Sequence, residues 1–218
     1  MSDHALIKRW EQLHEETERH GATLLAVSKY HSDEAVVGLA QAGQHDFGES
    51  RPQALRDRAQ KFPQLNWHMI GPVQRNKAKY VGRFATMWHS LCDIAVAREV
   101  ASHVVDRELP VLLQINISGE NQKYGVAPED ALKLLEAVKT LPELKVVGLM
   151  GMAAKSVEGD DDQAVRDSFI MLRNLRDELA DESLAELCMG MSGDFRIAMD
   201  EGATMVRLGT VLFGPSDD

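Results

Sequence analysis

Lys29 is the residue of this chain whose type and setting most directly suggest chemistry. It closes the apolar run Leu24-Leu25-Ala26-Val27-Ser28-Lys29, and a helical pattern begins beyond it near Ser32-Asp33-Glu34. In a chain that alternates strands with helices, such a junction lies at the carboxyl end of the sheet, where these folds place their sites. A lysine amine pressed against low-dielectric walls loses proton affinity and becomes a nucleophile toward aldehydes. The plainer alternative is a side chain that snorkels to the rim. Two turns near the C-terminus carry anion-binding chemistry. Met191-Ser192-Gly193-Asp194 offers a hydroxyl at Ser192, and Gly193 lets main-chain N–H groups approach an anion with no side chain between. Arg207-Leu208-Gly209-Thr210 is a second donor-rich turn, and alternation puts Arg207 and Gly209 on one side of its strand. Taken singly, Ser192 and Asp194 read more simply as caps of a helix, and Gly209 as a fit to a crowded corner; together with Lys29 that reading loses ground.

The elements that must position these groups alternate along the whole chain. Segments 24–29, 46–49, 67–71, 86–91, 110–116, 145–150, 186–191 and 205–209 read as strands. Helical patterns at 33–43, 51–61, 73–82, 93–108, 128–140, 160–181 and 194–201 separate them. A charged amphipathic helix over 5–20, with Leu6, Trp10, Leu13 and Thr17 near one stripe, precedes the first strand. Pro128 marks a helix start, Gly43 and Gly202 mark helix ends, and Pro142 stops another helix. Eight strands separated by seven helices is the count of a closed (β/α)₈ TIM barrel with an extra N-terminal helix. One domain over residues 1–218 is expected, with residues 1–20 packed on the barrel. The alternative is an open doubly wound sheet, which more often has a glycine-rich turn after its first strand, where this chain has Ser28-Lys29-Tyr30-His31. A barrel commonly holds phosphate with the loops after its seventh and eighth strands, which here carry Ser192 and Gly209. A lysine for an aldehyde, a cradle for a dianion and an arginine between them describe a site for pyridoxal 5′-phosphate (PLP).

Composition narrows the class. The 218 residues are 44% hydrophobic, and the net charge of −10 argues against general nucleic-acid binding. The basic run Arg75, Lys77, Lys79 and Arg83 reads as a solvated helix face. No apolar run approaches the roughly 20 residues needed to span a bilayer, and the N-terminus lacks a secretory pattern, so a cytoplasmic protein with no membrane association is expected. Cys92 and Cys188 lie far apart and read as reduced core or near-core thiols. The eight histidines show no zinc-helix spacing, and no metal is expected. His68 and His89 fall in strands and read as hydrogen-bonded core residues.

The chain resembles the YggS/PROSC-type pyridoxal-phosphate homeostasis proteins, relatives of the alanine racemase barrel. The matching pieces are AVSK at 26–29, AGQHDFGE at 42–49, WHMIGPVQRNK at 67–77 and LLQINISGE at 112–120. They continue with GLM at 148–150, MGMSGDF at 189–195 and GATMVRLGTVLFG at 202–214. The resemblance implies a cofactor held as an imine on Lys29, phosphate contacts from Ser192 and the Gly209-Thr210 turn, and Arg207 near the pyridine nitrogen. Gly193 and Met191 belong to the same phosphate loop. Ser50 stands where the family has an asparagine near the cofactor, within the departure Ser50-Arg51-Pro52, and Arg51 either contacts the ligand or faces solvent. The family's SMGMS is here Cys188-Met189-Gly190-Met191-Ser192. Lys123 matches a frequent family lysine and is either a second amine near the site or a surface residue.

A permanently charged arginine favours an unprotonated pyridine nitrogen, a weaker electron sink than a pyridinium. Racemases with such an arginine add an acid/base residue and a closing domain, for which the chain leaves no room beyond Phe213-Gly214. No catalytic residue is therefore assigned. The expected function is that of an intracellular PLP carrier or buffer in vitamin B6 homeostasis, without substantial turnover. A monomer is expected, with apo-PLP enzymes as transient recipients. The alternatives are a minimal fold-type III PLP-dependent amino-acid racemase or lyase, and a phosphate-ester-binding barrel without aldehyde chemistry.

Overall fold

The eight apolar segments close into a parallel barrel in which each strand pairs with the next and the last returns to the first. The structure, a computed structural model, describes residues 3–118, 124–153 and 162–214. The strands are β1 Thr23–Val27, β2 Asp46–Glu49, β3 Asn66–Met69, β4 Met87–Leu91, β5 Leu109–Ile115, β6 Leu144–Gly151, β7 Glu186–Cys188 and β8 Met205–Leu208. The helices are α1 Asp3–Arg19, α2 Asp33–Ala42, α3 Pro52–Lys61, α4 Ala78–Phe84, α5 Ile94–Ala101, α6 Ala131–Lys139, α7 Gln163–Leu179, α8 Phe195–Asp200 and α9 Thr210–Phe213. Short 3₁₀ turns at Arg75–Lys77 and Pro128–Asp130 lead into α4 and α6. Closure settles the choice between barrel and open sheet.

Strands buried on both faces explain why the sequence shows apolar runs rather than clean alternation. Leu25, Leu112, Met150, Cys188 and Met205 pack together inside the barrel. Leu24, Ala26, Phe47, Trp67, Trp88, Val111, Leu113 and Val206 belong to the layer between strands and helices. Each leucine or valine among them, fully buried, contributes about 1.5–3 kcal/mol.

Helix α1 is an added cover rather than part of the repeat. Leu6, Trp10, Leu13 and Thr17 are buried along one stripe, as their spacing predicts. Trp10 Nε1 donates to Gln44 Oε1 at 2.8 Å, and Gln44 Nε2 donates to the carbonyls of Leu24 at 2.9 Å and Asp46 at 2.6 Å. One amide thus ties α1 to the amino ends of β1 and β2. Arg9 Nε donates to the Leu212 carbonyl at 2.7 Å and joins α1 to α9. Gly43, with φ 116°, ends α2 in the left-handed conformation that favours glycine.

Several boundaries differ from the sequence expectation. The first strand stops at Val27 rather than 29, the seventh at Cys188 rather than 191, and the eighth at Leu208 rather than 209. The helix expected over 93–108 ends at Ala101, where the Ser102 hydroxyl donates to the Glu99 carbonyl and competes with helix continuation. The expected helix over 160–181 is seen from Gln163, and residues 160 and 161 lie outside the described residues. The turn of α9 was not expected. Among the described residues, no helix is long and apolar enough to cross a membrane.

Candidate functional site at the carboxyl end of the barrel

Four neighbouring strands, β7, β8, β1 and β2, deliver the expected site residues to one side of the barrel mouth. Ser192 and Gly193 follow β7, Gly209 and Thr210 follow β8, Lys29 follows β1, and Ser50 follows β2. Leu25 pairs with Arg207 across β1 and β8, so Arg207 lies level with the residue four positions before Lys29.

The loop after β7 is clamped to the loop after β8 by one hydroxyl. Ser192 Oγ accepts the N–H of Gly209 at 3.3 Å and that of Val211 at 3.2 Å. Ser192 thus caps α9, across the mouth, rather than the helix that follows it in sequence. Asp194 does not cap α8 through its side chain either. Its Oδ1 accepts the Met191 N–H at 2.6 Å and closes the preceding turn. Burial pushes the Asp194 carboxyl up, partly offset by the Met191 N–H and the charge of Arg207. The Met191 N–H is therefore already used, while the N–H groups of Ser192, Gly193 and Thr210 have no partner among the described residues. A side chain at Gly193 would project into open space, and one at Gly209 would meet nothing closer than Val27 at 3.6 Å.

Arg207 is buried, with only 5% of its surface exposed. Nη1 donates to the Cys188 carbonyl at 3.1 Å and to Cys188 Sγ at 3.3 Å, and Nη2 to the Gly151 carbonyl at 3.0 Å. Nε has no hydrogen-bond partner among the described residues.

Lys29 requires a correction. Burial ends at Ser28, and the lysine lies exposed in the turn rather than pressed against apolar walls at the end of β1. The strand ends because the buried Ser28 hydroxyl donates to Glu49 Oε1 at 2.8 Å, and Tyr30 then turns the chain with φ 68°, uncommon for a side-chain-bearing residue. Lys29 Nζ lies 5.9 Å from the Tyr30 ring centre, and the Arg51 guanidinium lies 5.5 Å from the same ring. Arg51 is thus placed at the mouth, stacked on an exposed tyrosine. Ser50 is half-buried, and its carbonyl passes so close to Gly71 that a Cβ there would stand 2.1 Å from it. Lys123 lies outside the described residues.

The sequence reading missed how the polar groups of the interior connect. His68 and His89 are hydrogen-bonded core residues as expected, but their partners are each other, at 2.8 Å, with Asp46 and Cys188 at the two ends. Both cysteines are free, Cys188 buried and Cys92 half-buried.

Set beside known proteins, the chain matches the alanine racemase N-terminal domain over residues 2–217. A pyridoxal phosphate homeostasis protein of Aquifex aeolicus is 40% identical over 200 residues, spanning 88% of this chain and 86% of the relative. One from Pseudomonas aeruginosa is 40% identical over 198 residues, spanning 89% and 84%. The chain belongs to the pyridoxal phosphate homeostasis protein family. Solved structures share the barrel. PipY of Synechococcus elongatus PCC7942, solved with PLP bound, is 30% identical with a TM-score of 0.85, covering 96% of this chain and all of that one. Alanine racemase of Clostridium difficile 630, 12% identical with a TM-score of 0.76, shares the fold alone, over 91% of this chain and 53% of that one.

Proposed function

We propose that this homeostasis-family barrel binds PLP at the β7-β8-β1 side of its mouth and acts as an intracellular carrier or buffer of the cofactor. The observation that carries the reading is Ser192. Its oxygen accepts two N–H groups, so its own proton points elsewhere and is available to an anion beside the unpaired N–H groups of Gly193 and Thr210. These donors suit a phosphate dianion, and Arg207 Nε–H suits an aromatic nitrogen acceptor. The residues present therefore fit PLP.

When bound, the cofactor supplies an aldehyde that joins an amine reversibly. Lys29 is the amine this reading assigns to the aldehyde, and its exposure supports exchange with amines from solution. Arg207 stays protonated at any working pH and gives a ring nitrogen a donor rather than an acceptor. That pairing supports holding and releasing the cofactor over amino-acid turnover. In this reading the whole chain works as one cofactor-binding domain and a monomer, with apo-PLP enzymes in the cytoplasm as recipients.

The test begins with protein loaded with PLP and treated with borohydride. The cofactor's mass is expected on the peptide that contains Lys29, and Lys29→Ala is expected to abolish it. A full-strength adduct on Lys123 in the wild type would overturn the assignment. Racemisation of amino acids in deuterated solvent is expected to be negligible. A rate of about 1–1000 per second would reject the carrier reading.

A further inference from the structure

A continuous polar chain crosses the barrel lumen from the amino end of β2 to the mouth. His68 Nε2 lies 3.2 Å from Asp46 Oδ1, His68 Nδ1 lies 2.8 Å from His89 Nε2, and His89 Nδ1 lies 3.3 Å from Cys188 Sγ. Arg207 Nη1 lies 3.3 Å from that same sulfur. The five side chains come from β2, β3, β4, β7 and β8. His89 and Cys188 are wholly buried and His68 nearly so.

The chemistry of the two ends gives the chain a direction. Arginine can only donate and an ionised carboxylate can only accept. Burial holds His89 neutral, aided by the charge of Arg207, and burial keeps the Cys188 thiol protonated against the pull of Arg207. For Asp46, burial raises the carboxyl, but the hydrogen bonds from His68 and Asn66 help to outweigh it, so it stays ionised. One assignment satisfies every group without adding a buried charge. Cys188 S–H donates to His89 Nδ1, His89 Nε2–H to His68 Nδ1, and His68 Nε2–H to Asp46. The reverse order needs a cationic His68 and leaves the thiol proton without an acceptor. With its proton turned toward His89, the sulfur presents lone pairs to Arg207. Together with the carbonyls of Cys188 and Gly151 it holds both Nη groups, leaving Nε–H for the mouth.

We propose that Cys188, held by His89 and His68, is a positioning residue that fixes the Arg207 guanidinium and thereby sets how this barrel grips the pyridine ring of PLP. The inference rests on the cofactor reading above. It concerns the ring alone, because the phosphate donors on Ser192, Gly193 and Thr210 stand outside the chain.

The test compares wild type, Cys188→Ala, Cys188→Ser and His89→Gln. Affinities for PLP and for pyridoxal are measured together with the visible absorbance maximum of the PLP-loaded protein and competition by inorganic phosphate. Cys188→Ala removes the sulfur link, while His89→Gln keeps a partner for His68 but takes the acceptor away from the thiol. Both are expected to weaken PLP and pyridoxal alike by about 5- to 10-fold, the equivalent of one hydrogen bond. Both are expected to move the absorbance maximum and to leave phosphate competition unchanged. Cys188→Ser, whose hydroxyl can donate and accept at the same point, is expected to restore affinity and spectrum. Should Cys188→Ala fail to fold, His89→Gln and Cys188→Ser carry the same comparison. If wild type binds PLP while the alanine and glutamine variants keep its affinity and spectrum and lose only thermal stability, the proposal fails and the cofactor reading stands. If wild type takes up no PLP, both fall.

Discussion

The Ser192 hydroxyl joins the loops after β7 and β8 through Gly209 and Val211, so a mutation there tests a structural and a ligand role at once. Ser192→Ala removes one hydrogen bond to a dianion, worth about 1.5–3 kcal/mol, or about 10- to 150-fold in affinity for PLP. Pyridoxal, which has no phosphate, is expected to bind nearly as before, whereas Arg207→Ala is expected to weaken both and to alter the spectrum. Equal weakening of the two aldehydes by Ser192→Ala would leave Ser192 only a cap for α9. Glu49 offers a test of pH dependence. Burial pushes its carboxyl up, and the Ser28 hydrogen bond with the charges of Arg58 and Lys29 offsets this only in part. The folded protein therefore holds this proton more tightly than the unfolded chain does. The stabilisation is complete below the ordinary glutamate value of about 4.3 and is lost as pH rises through the higher folded value. Glu49→Gln keeps a partner for Ser28 without the buried charge. Thermal melts are expected to show it more stable than wild type at pH 8, with the gap closing as the pH is lowered to about 4.

At the scale of elements, the strand ends decide the site. The segment at 67–71 reads as a strand, yet β3 stops at Met69 and Gly71 lies beneath the carbonyl of Ser50. Gly71→Ala would force the chain after β2 aside, and the overpacking is expected to cost about 1–3 kcal/mol. The expected readout is a lower melting temperature together with weaker PLP binding. An unchanged PLP affinity would separate Ser50 and its loop from the site. The apolar runs Leu24-Leu25-Ala26 and Val111-Leu112-Leu113 made β1 and β5 legible because both strand faces are buried. Where β1 ends was not legible. That point depends on a hydrogen bond from Ser28 to Glu49, 21 residues away, and no local pattern encodes it.

For the whole molecule, α1 packs against α2, α9 and β1 on the outside of the barrel. Trp10→Ala removes a buried indole and is expected to cost about 3–5 kcal/mol. Trp10→Phe keeps most of the packing but leaves Gln44 Oε1 without its donor, and about 1–3 kcal/mol is expected to be lost. Denaturant unfolding checks both values. Borohydride labelling of Lys29 is expected to survive in each variant that folds, since Gln44 ties α1 to the strand starts. Loss of labelling in folded Trp10→Phe would mean that α1 communicates with the mouth.

The sequence by itself determined which residue types stand at which strand ends. Lys29, Ser192, Arg207 and Gly209 were readable because strand–helix alternation is a local, periodic pattern. The eight-strand count followed from the same alternation. Closure of the barrel was decided by pairing of β8 with β1, which sets Arg207 beside Leu25 and brings the loops of β7, β8, β1 and β2 to one side of the mouth. The exposure of Lys29 and the use of Ser192 as a cap for α9 were decided there too. So was the line from Asp46 to Arg207, whose link between His89 and Cys188 joins residues 99 apart in sequence across the lumen. Such contacts depend on strand tilt and register around a closed sheet, and these are properties of all eight strands together.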